Sequence, residues 1–97
     1  MSTTVLLEVT IKEGATDVES ILRETLAQTA AFAGNESLEV LIDDDAPQQY
    51  VVVEKWATSA DHDAYLAWRG TPDGATRLGE IVAGPPTTRT FATSVPL

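Results

Sequence analysis

The chain has 97 residues, 43% hydrophobic and 22% charged, which is the composition of a single globular domain over residues 1–97. Fifteen acidic residues against six basic ones give a formal net charge of −9. Binding to nucleic acid or anionic lipid relies on clustered Lys and Arg, so neither a nucleic acid nor a membrane is expected as a partner. Cysteine is absent, which excludes disulfides and thiolate sites. With no signal-peptide pattern at the N-terminus, we expect a cytoplasmic protein.

The first predicted elements are a strand and a long helix. Residues 4–12 alternate from Val5 onward, which predicts a strand with one apolar face formed by Val5, Leu7, Val9 and Ile11. Thr16 and Glu19 then have the spacing of a capping box. Apolar residues at helical spacing follow and predict an amphipathic helix over about 17–33, with Gly34 as its C-cap.

A hairpin and a short helix come next. Residues 37–44 and 49–57 both alternate as strands around an acidic turn, so they are predicted to pair. A short helix is predicted over 60–69, with Ser59 as its N-cap and Gly70 at its end.

The last part of the chain predicts a further short helix and a final strand. Thr71 precedes Pro72, a favoured residue at the first position of a helix. Residues 87–95 predict the last strand. The order β-α-β-β-α-α-β predicts an α+β, ferredoxin-like fold with a four-stranded antiparallel sheet and a second crossover helix split in two.

The face of this sheet turned away from the helices is predicted to be apolar as well. Leu6, Leu41, Val51 and Val53 would all point to it. An apolar sheet face needs a cover, so we expect a homodimer in which two copies pack through these sheet faces.

The strand 49–57 places two unusual residues under the helices. Glu54 and Trp56 share the face opposite to Val51 and Val53. A buried carboxylate is rare unless paired, so Glu54 either pairs with an Arg, caps a helix amide or belongs to a pocket. Trp56 is either a core residue or a pocket wall.

The helix 60–69 carries the only histidine of the chain. His62, Tyr65 and Arg69 lie on adjoining helical positions, and Trp68 follows Tyr65 by three residues. These groups could line a cleft between helix and sheet. The alternatives are a solvated surface position for His62 and core packing for Trp68. A single histidine without cysteine does not favour a zinc site.

The run VVVEKWATSADHDAYLAW (51–68) resembles the E-x-W-x-S segment of the antibiotic biosynthesis monooxygenase (ABM) family. VTIKEG, FAGNESLEVLID and GPPTTRTF support the resemblance in order and spacing along nearly the whole chain. The resemblance implies a dimeric α+β barrel with a pocket in each subunit. It also implies oxidation of polycyclic phenols, anthrones or quinols by molecular oxygen, with no metal, flavin or other cofactor, so the expected partner is a small aromatic substrate.

The same resemblance implies roles for individual residues. His62 or Tyr65 would handle a phenolic proton, and Arg69 would be the electrostatic partner of the resulting oxyanion. Trp56 would be a pocket wall and Glu54 would orient its neighbours. The expected catalytic residues are therefore His62, Tyr65 and Arg69. The expected substrate-binding residues are Glu54, Trp56, Leu7 and Trp68.

Two positions depart from the family pattern. Many members carry a histidine nine residues after the tryptophan, where this chain has Tyr65 and keeps His62 one helical turn earlier. The haem-degrading branch uses an Asn on the first strand, matched here by Leu7, and a His near the position of Leu66. Haem degradation is therefore not expected.

Three functions follow as hypotheses. The first is a cofactor-independent monooxygenase that acts on an aromatic polyketide-like phenol, anthrone or quinol. The second is an isomerase on the same fold, because one fold hosts many reactions. The third is a small dimeric ligand-binding or stress-response module without catalysis.

Overall fold

A computed structural model describes residues 2–97 and contains one antiparallel sheet with two helices on one of its faces. Its strands and helices are β1 (Thr3–Thr10), α1 (Val18–Ala31), β2 (Asn35–Ile42), β3 (Gln49–Trp56), α2 (Ser59–Arg69) and β4 (Thr87–Phe91). The strand order in the sheet is β2-β3-β1-β4. The predicted α+β, ferredoxin-like class with a four-stranded antiparallel sheet is confirmed. No helix within residues 2–97 has the length and apolar character needed to cross a membrane.

The register of the strands decides which residues face the helices. Val5 of β1 pairs with Glu54 of β3, and Leu7 pairs with Val52. Directly paired residues point to the same face of a sheet, so these four side chains lie together under α1 and α2. The prediction that Val5, Leu7, Val9 and Ile11 share one face is confirmed, and Leu7 alone of the four keeps part of its surface exposed.

The core between sheet and helices has two parts. One is aliphatic and consists of Val9, Ile11, Ile21, Leu22 and Ile81. The other is aromatic and consists of Val5, Trp56 and Tyr65, with Phe32 and Trp68 packed against it. The aromatic part lies where β3 and α2 meet, which is the region that holds the candidate site residues.

The predicted start of α1 is wrong by one residue. Asp17, not Thr16, is the N-cap: its carbonyl accepts the hydrogen bond from the Ile21 amide, and no side chain caps the helix. This frame puts Ser20 at the third helical position and moves Glu19 to the second, so the reciprocal bond of a capping box cannot form. At the other end the C-cap is Phe32 rather than the predicted Gly34.

The bounds of the other elements differ by a few residues. Thr58 caps α2 in place of the predicted Ser59, and its hydroxyl accepts a hydrogen bond from the Asp61 amide at 3.1 Å. Gly70 is the C-cap, as predicted. Strand β2 begins and ends two residues before the predicted 37–44, and β4 ends at Phe91 instead of residue 95.

The second short helix of the prediction is replaced by two 3-10 turns, Pro72–Gly74 and Leu78–Glu80. Extended backbone at Ala75 separates them. The chain is then held beside β1, because the Lys12 amide donates to the carbonyl of buried Ile81 at 2.8 Å. A continuous helix would not deliver Ile81 to this position, so the tertiary contact overrides the local helical pattern.

The sheet face opposite to the helices is uncovered in the single chain. Leu6, Val51 and Val53 are half-buried there, and Leu41 is 48% exposed. Phe91 of β4 pairs with Thr4 on the same face and is 43% exposed. The four apolar residues predicted for this second face therefore lie on it.

The close approach of Gly74 to α2 predicts a strong effect of a single methyl group. A Cβ at Gly74 would lie 2.1 Å from the Trp68 carbonyl oxygen and 2.6 Å from the Arg69 Cα, both backbone atoms that cannot move aside. We expect Gly74→Ala to lower the free energy of unfolding by about 1–3 kcal/mol, the usual cost of overpacking. Denaturant titration measures this value.

Gly79→Ala is the matched control for this prediction. Nothing lies within 4 Å of a Cβ at Gly79, so we expect a change within about 0.5 kcal/mol. Equal destabilisation by the two substitutions would show that the contact between Gly74 and α2 is not tight.

Candidate active site

A pocket of about 270 Å³ lies between the helix face of the sheet and α1 and α2. Its polar side chains are Glu54, His62, Tyr65 and Arg69, with threonine hydroxyls at the edge. The remaining lining is apolar and comes from Val5, Leu7, Val9, Leu22, Leu26, Val52, Leu66, Leu78 and Pro86. The pocket is thus suited to a small, mostly apolar molecule with one or two polar atoms.

Glu54 is a carboxyl group buried at 3% exposure under the helices. Neither predicted partner, an Arg or a helix amide, contacts it; the Trp56 indole Nε1 donates to its Oε1 at 2.9 Å. Burial raises the pKa of Glu54, because a low-dielectric surrounding disfavours the charged form. The Trp56 hydrogen bond and the charges of His62 and Arg69 partly oppose that rise. Glu54 therefore holds its proton to a higher pH than an exposed glutamate.

His62 is buried at 4% exposure, so its interpretation as a solvated surface residue is wrong. Its ring lies 5.5 Å from the Trp56 ring and is stacked on the Tyr65 ring at 6.2 Å with 26° between the planes. No side-chain hydrogen bond joins the imidazole to any group in residues 2–97. His62 lines the pocket, and no protein side chain engages its ring nitrogens within the described residues.

Arg69 uses all five of its N–H donors within the protein. Nε donates to the Tyr65 hydroxyl at 2.7 Å. Nη1 donates to Gln28 Oε1 at 2.7 Å and the Gly74 carbonyl at 3.3 Å, and Nη2 donates to the Thr25 carbonyl at 2.8 Å and Thr29 Oγ1 at 3.1 Å. All five acceptors are neutral, so the positive charge in the pocket wall has no carboxylate contact among residues 2–97.

The two tryptophans lie behind the pocket and not on its surface. Trp56 is completely buried, with its ring 5.0 Å from the Tyr65 ring. Trp68 packs 5.5 Å from the Phe32 ring, and the Arg69 guanidinium lies 4.9 Å above it. Of the seven residues named from sequence, the structure therefore brings five to the pocket lining, namely Leu7, Glu54, His62, Tyr65 and Arg69.

Sequence reasoning missed the contribution of α1 to this site. Thr25, Gln28 and Thr29 of α1 supply three of the acceptors of Arg69. Thr25 and Thr29 fall on the apolar face of the helix by spacing, where they read as core residues. The sequence feature that could have indicated their role is that Thr25 and Thr29, two hydroxyl-bearing residues four apart, lie on a helix face that is otherwise aliphatic.

The polar groups divide into possible proton acceptors and donors. The His62 imidazole has free nitrogens, whereas the Tyr65 hydroxyl lies against a fixed cation. Within the described residues no group of three or more His, Asp or Glu side chains could hold a metal ion. The arrangement can bind an acidic hydroxyl group, accept its proton and stabilise the anion that remains.

Fold and pocket together define a ferredoxin-like α+β protein with a pocket between sheet and helices. The sequence profile of the antibiotic biosynthesis monooxygenase family matches residues 3–74. This match covers most of the chain, which therefore belongs to that family, as the resemblance indicated.

Solved structures share the fold over nearly the full length of the chain. SnoaB from Streptomyces nogalater, described as a cofactor-independent oxygenase, has 23% identity and a TM-score of 0.76, covering 99% of this chain and 96% of its own. Rv0793 from Mycobacterium tuberculosis has 18% identity and a TM-score of 0.75, covering 99% and 98%. A conserved protein from Methanosarcina mazei Go1 has 13% identity and a TM-score of 0.80, covering 97% and 94%. No curated protein matches the chain.

The raised pKa of Glu54 predicts a pH-dependent effect of its removal. Above the ordinary value of 4.5, the folded state retains a proton that the unfolded state releases, so the free energy of unfolding falls as pH rises towards the folded pKa. Glu54→Gln removes this loss. We expect the stability of the variant relative to the native protein to improve as the pH rises above the ordinary glutamate pKa of 4.5.

Denaturant titrations at a series of pH values measure this difference. Glu13→Gln, at an exposed position in the turn after β1, is the control and should leave a nearly constant difference. A pH-independent difference for Glu54→Gln would contradict a raised pKa at Glu54.

Proposed function

We propose that the protein is a cofactor-independent monooxygenase that oxidises an aromatic phenol, anthrone or quinol with molecular oxygen. One observation carries the proposal: an apolar pocket holds a buried imidazole with free nitrogens beside a hydroxyl fixed on a cation. Membership of the ABM family supports it, and so does the fold shared with SnoaB, which is described as a cofactor-independent oxygenase.

The reaction would begin with the transfer of a proton from the substrate to His62. The electron-rich anion left in the pocket is stabilised by the Tyr65 hydroxyl and by the charge of Arg69. For an anthrone, oxygen converts a CH₂ carbon into C=O: the substrate loses two hydrogens, gains one oxygen atom, and the second oxygen atom leaves as water. The substrate supplies the electrons, and the protein supplies proton transfer, orientation and exclusion of water.

Arg69 and Glu54 would act at a distance from the reacting atoms. The five donors of Arg69 are engaged, so it would contribute its field and hold Tyr65 in place. Glu54 would fix the Trp56 ring under His62 and Tyr65, and its burial, which raises its pKa, disfavours a negative charge that would oppose the substrate anion.

The proposal predicts that His62 is needed for turnover. Oxygen uptake with a panel of anthrones and quinols, followed by product analysis, identifies a substrate. With that substrate, His62→Gln should lower kcat by about 100-fold or more, the usual contribution of a general base. Asp63→Asn, at the exposed neighbouring position, is the control and should change kcat little.

Two results would overturn the oxygenase proposal. Tight binding of these aromatics by folded protein without oxygen uptake would favour a ligand-binding module. Conversion of a bound compound to an isomer without oxygen uptake would favour an isomerase on the same fold.

We also propose that the protein is a homodimer through the uncovered sheet face. Leu6 and Val53 pair directly across β1 and β3, and Leu41 pairs with Val51 across β2 and β3. The result is an apolar cluster near partly exposed Phe91, with Glu8, Glu39 and Arg89 as polar neighbours on the same face. A second copy with the same face would cover this surface by two-fold symmetry.

Neighbouring residues of β2 provide a matched test of the dimer. Leu41 and Ile42 are 48% and 53% exposed but point to opposite faces of the sheet. Leu41→Glu should give a monomer because it places a charge in the proposed interface, whereas Ile42→Glu should remain dimeric. Sedimentation equilibrium gives the masses, and a native protein that is monomeric at high concentration would refute the dimer.

A further inference from the structure

Thr29 is a fully buried hydroxyl at the back of the pocket wall. It lies on α1, is 0% exposed and does not line the pocket itself. Its Oγ1 lies 2.7 Å from the Tyr65 hydroxyl, 3.1 Å from Arg69 Nη2 and 3.3 Å from the Thr25 carbonyl oxygen. A valine would fill the same volume, so packing alone does not explain a hydroxyl at this position.

The hydrogens available to these groups can be arranged in two ways. Arg69 can only donate, so both hydroxyl oxygens accept a hydrogen from it. In the first arrangement Thr29 donates to the Thr25 carbonyl and Tyr65 donates to Thr29, so every group is satisfied without a ligand. In the second arrangement Thr29 donates to Tyr65, and the Tyr65 hydrogen is released towards the pocket.

The exchange between these arrangements needs only the rotation of two hydroxyl groups. The Thr25 carbonyl loses little when Thr29 turns away, because Arg69 Nη2 still donates to it at 2.8 Å. The Tyr65 oxygen then accepts from both Thr29 and Arg69 Nε, which makes its own hydrogen a stronger donor.

We propose that Thr29 is a positioning residue that turns the Tyr65 hydroxyl towards a substrate oxyanion. Without a ligand, Thr29 accepts the Tyr65 hydrogen. When negative charge develops on a bound phenol, Thr29 rotates and donates to Tyr65, whose hydrogen then bonds the ligand oxygen. The catalytic part of this inference rests on the proposed oxygenase function, but the hydroxyl exchange itself does not.

The kinetic test compares Thr29→Val, which keeps the shape of the side chain, with Thr29→Ser, which keeps the hydroxyl. With the substrate found by oxygen uptake, Thr29→Val should lower kcat about tenfold, as expected for one hydrogen bond to developing charge, and leave KM within about twofold. Thr29→Ser should recover most of kcat. In a Tyr65→Phe background, Thr29→Val should have no further effect on kcat.

A second measurement does not depend on turnover. Tyr50 and Tyr65 are the only tyrosines, so Tyr50→Phe protein labelled at the tyrosine ring carbon that bears oxygen gives a single NMR signal. Addition of a hydroxyanthraquinone, a non-reactive phenol, at a pH at which its hydroxyl group is ionised should shift this signal in the native background and with Thr29→Ser. With Thr29→Val the ligand-free signal should already be displaced, and the ligand-induced shift should be smaller.

The two measurements separate the possible failures. If no substrate turns over but the NMR signals behave as described, the oxygenase proposal falls and the hydroxyl exchange stands. If Thr29→Val, shown by circular dichroism to be folded, has the native kcat and NMR signal, the positioning role is refuted. Failure of folded Thr29→Ser to recover either property would also refute it, because the methyl group and not the hydroxyl would then matter.

Discussion

The five hydrogen bonds of the Arg69 guanidinium are the interaction on which the site depends. They join the end of α2 to α1 through Gln28, Thr25 and Thr29, and to the 3-10 turn through the Gly74 carbonyl. The fifth bond fixes the Tyr65 hydroxyl. The bonds to Tyr65, Thr25, Thr29 and Gly74 are partly buried, and an unpaired donor there would be costly, so they favour the arrangement of the three segments that supplies these acceptors. The hydrogen bonds of Arg69 therefore stabilise both the pocket wall and the packing of α1, α2 and the 3-10 turn.

The second constraint is the aromatic layer on which His62 and Tyr65 rest. Trp56 is fully buried and held by Glu54, and its ring contacts both residues. The Glu54 carboxyl group fixes the indole, and burial raises its pKa, so the charged form is less favoured there than in an exposed glutamate. Arg69 places a positive charge in the pocket wall, and this is the sign that the proposed oxyanion would require.

The sequence predicted those features that repeat with a fixed period. Alternation over β1 and β3 placed Val5, Leu7, Glu54 and Trp56 on the helix face, because a strand side chain has only two directions. Whether His62 is buried depends on how α2 is rotated against the sheet, which single-sequence spacing does not determine. Thr29 has the spacing of a core residue on α1, and its polar role could not be predicted because its partners, Tyr65 and Arg69, are 36 and 40 residues away in the chain. The sequence thus predicted the site residues whose direction is set by strand alternation. It did not predict those whose role depends on a hydrogen-bond partner far away in the chain.

The position of the histidine, one helical turn before the usual family position, has a structural consequence. His62 and Tyr65 are three residues apart on α2, and their rings stack with both side chains in the pocket lining. A shift of one turn thus leaves the imidazole in the same pocket and gives the vacated position to a phenol. That phenol is fixed by Arg69 and Thr29, whereas the imidazole keeps free nitrogens. The pocket therefore holds a free imidazole beside a hydroxyl fixed on a cation, and under the proposed function the imidazole would accept the proton and the hydroxyl would stabilise the anion.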